Sequence, residues 1–334
     1  MRRSTPRRGV ALLLALLVLG VAGTFLVAGF YAARTTADAY RLALRMAQLD
    51  GESEIAVASL VATWNPEARS TQGIASTQEV PVDAGDPAAT PRAWLTRIAP
   101  RLYLATVRVR DRADTTVAAR ASVLLHVEAP VFPDLAAVIT NGDVLADGMF
   151  QSLPPDPAAL SACGASPVGW WAALAVAPGH AAPPPFVERA AAGNDSTYRV
   201  FGAVTVSDLR ARASVDLPSG SPVPTPTADI ARARGDLDLA GGPGGGILVV
   251  DGRLRISGPV DYRGVIVALG GLEAGSPWAT VTGLLLVSGG SPAGVVVKSS
   301  SYLMLQYDPC VVARVAWRAG RVRPLAQRDR IPIP

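Results

Sequence analysis

From Gly9 to Ala33 (GVALLLALLVLGVAGTFLVAGFYAA) the chain carries no charge, and Arg2, Arg3, Arg7 and Arg8 precede this run. About 20 apolar residues suffice for a helix to cross the hydrocarbon core of a bilayer. The positive-inside bias of the four arginines holds the short N-terminus in the cytoplasm and sends the bulk of the chain to the other side. A cleavable signal peptide would end near Ala28 or Ala33. The helical pattern does not stop there. It continues through ARTTADAYRLALRMAQLDGESEIAVASLVATW, and apart from Gly51 no helix breaker occurs before Asn65-Pro66. Ala37, Tyr40, Leu44 and Ala47 recur on one side at helical spacing, and Arg34, Asp38, Arg41 and Arg45 share the adjoining one. One helix from about Val10 to Trp64 is expected, ~80 Å long at about 1.5 Å per residue. In the outer half of its apolar part, Gly20, Thr24, Ala28 and Ala32 fall at intervals of four, a small-residue stripe along which another helix can approach closely.

Charge adds little beyond this. The net charge is +4, from 31 Lys+Arg against 27 Asp+Glu. The four leader arginines account for all of it, so the remainder is neutral. No basic patch gathers along a predicted face, and no nucleic-acid partner is expected. Cys163 and Cys310 lie far apart in the chain. They lack metal-ligand spacing, and His126 and His180 do not accompany them. Outside the cytoplasm a Cys163–Cys310 disulfide is permitted, and two buried thiols are the alternative.

The segment Arg7-Arg8-Gly9-Val10-Ala11-Leu12-Leu13-Leu14, behind its basic leader, resembles the N-terminus of type IV pilin-like proteins. In particular it resembles the PilX-type minor pilins and the K-type minor pseudopilins of type II secretion. The resemblance extends from the leader to about Leu60. It implies cleavage by a prepilin peptidase between Gly9 and Val10, methylation of the new N-terminus, and packing against other pilin-like subunits after release from the inner membrane. Major pilins carry a glutamate at the fifth mature position; Leu14 stands there in this chain. The resemblance is therefore to the atypical minor subunits, associated with initiating or capping a filament.

Beyond Trp64 the chain reads as α+β, a long helix followed by a mainly β exported domain. The expected organisation is a leader over 1–9, the helix over 10–64 (membrane span about 10–33) and a linker over 65–98. A β-rich region over 99–150, a Pro/Ala-rich loop or insertion over 151–199 and a glycine-punctuated β domain over 200–334 follow. The segments 101–110 and 117–127 flank the turn-like DRADTT as an antiparallel hairpin. GILVVDGRLRISG, GVIVALGGLEAGS and GLLLVSGGSPAGV begin at Gly246, Gly264 and Gly283, an almost constant spacing. AAVITNGDVLADG, from Ala136, has the same shape outside this array. So regular a period suits a short solenoid of stacked β-coils; a meandering antiparallel sheet is the alternative.

No enzymatic constellation emerges. Gly241-Gly242-Pro243-Gly244-Gly245-Gly246 lacks the Lys-Ser/Thr of a phosphate loop and reads as a flexible linker. Asp251, Asp261 and Glu273 read as surface or turn carboxylates rather than a glycosidase pair or calcium site. No cofactor or metal is expected. The function expected is a minor pilin-like subunit. The alternatives are a monomeric anchored β-solenoid that binds a surface or polymer and, less well supported, an anchored polysaccharide-processing enzyme.

Overall fold

The computed structural model describes residues 8–153, 172–183, 187–289 and 294–328. They form two compact units. Cys163, Trp170 and Trp171 lie outside the described residues.

The first unit begins with α1, Arg8–Ala62, a single 55-residue helix. Its first part is exposed almost throughout. Burial begins at Leu49 and continues through Ser53, Ala56 and Leu60, a four-three-four spacing that puts all of them on one side of the helix. The stripe expected from Ala37 to Ala47 is exposed. Leu49 to Leu60 pack instead on an antiparallel sheet of β1 (Thr77–Val80), β2 (Ala89–Ala99), β3 (Leu102–Asp111) and β4 (Ala118–Glu128). The strands lie in chain order, and a C-terminal strand, Arg321–Arg328, borders β4. The segment 112–117 joins β3 to β4, a connection too short for a parallel crossover, so the pair is the expected hairpin. The sheet starts earlier than expected. The span 65–98, read as a linker, contains the short helix α2 (Pro66–Ser70), β1 and most of β2. Its Pro, Ser and Thr hide the alternation of buried Ala89, Ala93 and Leu95.

The second unit is a solenoid of parallel strands with three faces per coil. One coil runs from the third face at Val260, through the corner Gly264, along the first face to Ala268 and across the second at Leu272–Ala274. It regains the third face at Ala279. The meandering antiparallel alternative is thereby excluded.

The coils are not stacked in chain order. The chain enters at one end with β5 (Ala136–Thr140), β6 (Val144–Ala146), β7 (Met149–Leu153), β8 (Ala172–Val176) and β9 (Val187–Glu188). It reaches the other end through the helical turn α3 (Ser196–Arg199), the hairpin β10 (Val200–Phe201) and β11 (Val204–Thr205), and the helix α4 (Val206–Arg212). It then winds back through β12 (Val215–Leu217), β13 (Pro222–Pro224), β14 (Thr227–Ala233), β15 (Leu237–Val250) and β16 (Leu254–Ile256). After β17 (Val260–Ala268), β18 (Leu272–Ala274), β19 (Ala279–Val287), β20 (Val295–Val297) and β21 (Tyr302–Gln306), the helix α5 (Pro309–Arg318) closes the unit. The last coil pairs with the first on all three faces: Leu285 with Val138, Val295 with Val144, and Tyr302 with Met149. The Ala136 segment is thus inside the stack, not outside it. The 151–199 segment, read as a loop or insertion, supplies two further rungs, β8 and β9.

Burial explains the residue pattern. On the first face Ile247–Val250, Val265–Ala268 and Leu284–Val287 are buried throughout, because α4 and α5 cover strands whose other side meets the core. Parallel strands covered on both sides read as continuous apolar runs. The second face is covered on one side only, so its residues alternate, with Leu254 and Ile256 inward and Arg255 outward. The glycine run read as a linker belongs to β15, paired with β17 from Gly242 to Val250. A Cβ on Gly246, Gly264 or Gly283 would overlap a carbonyl oxygen of the preceding rung, so this corner admits no side chain.

Tyr262 points into the solenoid core, wholly buried, and its hydroxyl has no hydrogen-bond partner among the described residues. Burial pushes its phenol pKa up. An unpartnered buried polar group costs about 1–3 kcal/mol, so Tyr262→Phe is expected to unfold at equal or higher urea, with a gain of about 1 kcal/mol. A clear loss of stability would place a partner on the hydroxyl.

Candidate assembly helix and arginine face

Between Leu12 and Tyr31 the side chains of α1 are exposed or nearly so, Phe25 at 74% and Leu26 at 76%. An 18-residue window here has mean hydropathy 2.5 with none of it buried, so the helix is long and apolar enough to cross a membrane. Within the stripe, a Cβ on Gly20 would meet nothing within 4 Å. The Thr24 hydroxyl donates to the Val21 carbonyl at 2.7 Å and needs no outside acceptor. Ala28 and Ala32 are exposed on the same side. Gly9 and Val10 lie in the first turns of α1.

The other half of α1 is held by charge as well as packing. Arg45 pairs with Asp111 through Nε and with Asp86 at 3.2 Å. Glu52 accepts from the amides of Gly85 (2.7 Å) and Asp86 (3.0 Å). The 85–88 loop and the end of β3 are thereby tied to one helix face at Arg45 and, about two turns further on, Glu52. The Arg45 hydrogen bond holds the Asp111 carboxyl below the usual carboxylate range. The Ala88 amide, then Arg45, does the same for Asp86. A lowered folded pKa gives stability that is complete above the ordinary carboxylate value, about 3.9, and lost as pH falls through the folded one. Arg45→Met is therefore expected to melt lower than the parent at neutral pH. The gap should close as the pH is taken well below the ordinary carboxylate value, which melts across that range would show; a gap independent of pH would assign the clamp to packing.

The opposite side of this sheet corrects one expectation. Alternation turns Thr90, Arg92, Trp94 and Thr96 of β2, Thr106, Arg108 and Arg110 of β3, and Arg120 and Ser122 of β4 away from the buried side. Register puts Arg92 directly opposite Arg108, and Trp94 opposite Thr106. Four arginines and, from the following loop, Arg112 line two adjoining hollows of about 360 and 310 Å³, with Trp94 in the wall of both. A basic patch does gather. Local spacing does not reveal it, because the arginines come from three strands and only β3 shows two of them together.

The remaining candidates do not converge. Asp251, at the corner ending the first face, pairs with Arg210. Asp261 is exposed on the third face. Glu273, on the second, faces Lys298, Arg255 and Arg253, and Lys298 foremost holds its carboxyl low. His126 lies along β4. His180 Nδ1 sits 3.0 Å from Asp143, whose carboxyl the Ala181 amide and then His180 keep low. Cys310, at the start of α5, is disulfide-bonded.

No family model matches the chain, and no curated protein matches it. Among solved structures, the competence-associated pilin ComZ from Thermus thermophilus aligns over 91% of this chain and 97% of that one, at 10% identity and a TM-score of 0.22.

Proposed function

We propose that this chain is a minor pilin-like subunit of a type IV pilus or related secretion filament, with a structural rather than enzymatic role. The observation that carries the reading is the division of α1. One continuous helix has an apolar half with no partner among the described residues and a second half fastened to a β domain. A simple tether has no need of rigid continuity between anchor and domain; a subunit that packs helix against helix does. The PilX-like leader supports the same reading. On it, a prepilin peptidase cuts between Gly9 and Val10, the helix waits in the inner membrane with its N-terminus cytoplasmic, and the Gly20, Thr24, Ala28, Ala32 stripe seats a neighbouring helix. The mature N-terminus tests this. Mass spectrometry of the protein from its host is expected to find a methylated Val10. A chain beginning at Met1, or near Ala28 to Ala33, overturns the proposal.

A further inference from the structure

We infer that the outward face of β2–β4 binds single-stranded nucleic acid, a role that goes beyond the filament reading and does not depend on it. Arg92, Arg108, Arg110, Arg112 and Arg120 share this face. The one ion pair made by these five among the described residues joins Arg92 to Glu79 at 3.8 Å, with both side chains more than half exposed. Such a pair offsets little. Arg92 and Arg108 are direct cross-strand neighbours. Like charges placed so, with Cβ atoms about 5 Å apart, destabilise a sheet. The Arg108 Nε is buried with no hydrogen-bond partner among the described residues, leaving a charged donor unsatisfied in a residue that lines both hollows. An anion seated on this face would answer both the unpartnered Arg108 donor and the like-charge pair.

Trp94 narrows the class of anion. It stands between the two hollows with Thr96 and Thr106 beside it, a flat ring framed by guanidinium groups. Arginines track a phosphodiester backbone, and an aromatic ring stacks on an unpaired base without regard to sequence. A duplex keeps the faces of its bases stacked on one another, so a ring such as Trp94 could stack on one only by unstacking a base step. Nearly every basic residue of the chain is arginine, so the choice of arginine over lysine on this face carries no information. What counts is their convergence, because the one carboxylate lining the hollows, Asp111, is already engaged by Arg45.

The test uses the full chain in detergent micelles and a fluorescent oligo(dT), with anisotropy followed over a salt series. Binding is expected. The double variant Arg108→Thr, Arg110→Thr should lose at least tenfold in affinity. It should also flatten the log–log salt slope by about 1.4, two phosphates at about 0.7 each. Trp94→Ala should lose about tenfold with the slope unchanged. Arg108→Thr removes a like-charge contact, so its melting temperature should equal or exceed the parent's, which separates lost binding from lost folding. Arg92→Gln, at an exposed position, gives an independent reading in the same direction. Arg263→Thr with Arg314→Thr, on the solenoid, should stay within twofold of the parent. The inference is overturned by absence of binding at low salt, by equal losses in the solenoid control, or by no effect of Trp94→Ala. Tighter binding of duplex DNA, or displacement of the oligonucleotide by an acidic polysaccharide at lower concentration, overturns it as well.

Discussion

Gly264→Ala is expected to unfold the solenoid, with a loss above about 4 kcal/mol, the range reserved for substitutions that no local adjustment absorbs. A methyl group on Gly264 would overlap the carbonyl oxygen of Gly246, and the Gly264 carbonyl is in turn what a methyl on Gly283 would meet. These obstacles are backbone atoms held by the pairing of β15, β17 and β19. A flexible side chain could swing aside; a rung of the stack cannot move without breaking the bonds to its neighbours. Gly242→Ala separates space from conformation. Its φ is +100°, yet nothing among the described residues lies within 4 Å of an added Cβ, so the loss should be only the left-handed penalty of about 1–2 kcal/mol. Gly20→Ala, in an open helical position, should not destabilise the isolated chain, since alanine is the better helix former by about 1 kcal/mol. Urea melts of the three variants give the order. Comparable losses at Gly264 and Gly242 would show that the coils can shift to make room.

That contrast marks what the sequence could and could not reveal. The long helix is legible because both of its determinants are local: an uncharged run, and a charged continuation without a breaker. The solenoid is legible from the spacing of Gly246, Gly264 and Gly283, since a constant period is a property of one stretch of chain. The run Gly241–Gly246 misleads because glycine signals flexibility in a linker and close approach in a stack, and only the neighbouring rung decides between them. The placement of β5 to β7 against β19 to β21 joins the two ends of the solenoid's own sequence, and no local pattern encodes such a pairing. The arginine face is hidden for a related reason. Arg108 and Arg110 alternate visibly, but Arg92 joins them only through the register of β2 on β3, and Arg120 only through its strand's place beside β3.

Reduction of the disulfide at Cys310 should have the second large effect. Cys310 is disulfide-bonded and Cys163 is the only other cysteine in the chain, so we propose the bond between them. The long loop it closes corresponds to about 5 kcal/mol of lost unfolded-chain entropy in the chain-entropy model, an upper value. Leu153 is paired with Gln306, and each stands a short way before one of the two cysteines. The Tyr307 amide also donates to the Leu153 carbonyl at 3.4 Å. On this pairing the crosslink would join the chain that follows β7 to the start of α5, and β7 and β21 form the rung where the out-of-order coil meets the last one. Loss of the crosslink should weaken that junction more than the in-order coils β15 to β19, whose pairings join segments near in the chain and are easily closed. Cys310→Ser, or the parent under reductant, is expected to lose several kcal/mol, approaching the bound of about 5 kcal/mol. Amide exchange should rise first in β5 to β8. Uniform acceleration across the solenoid would show that the stack opens as one unit, and unchanged stability would place the bond outside the cooperative core.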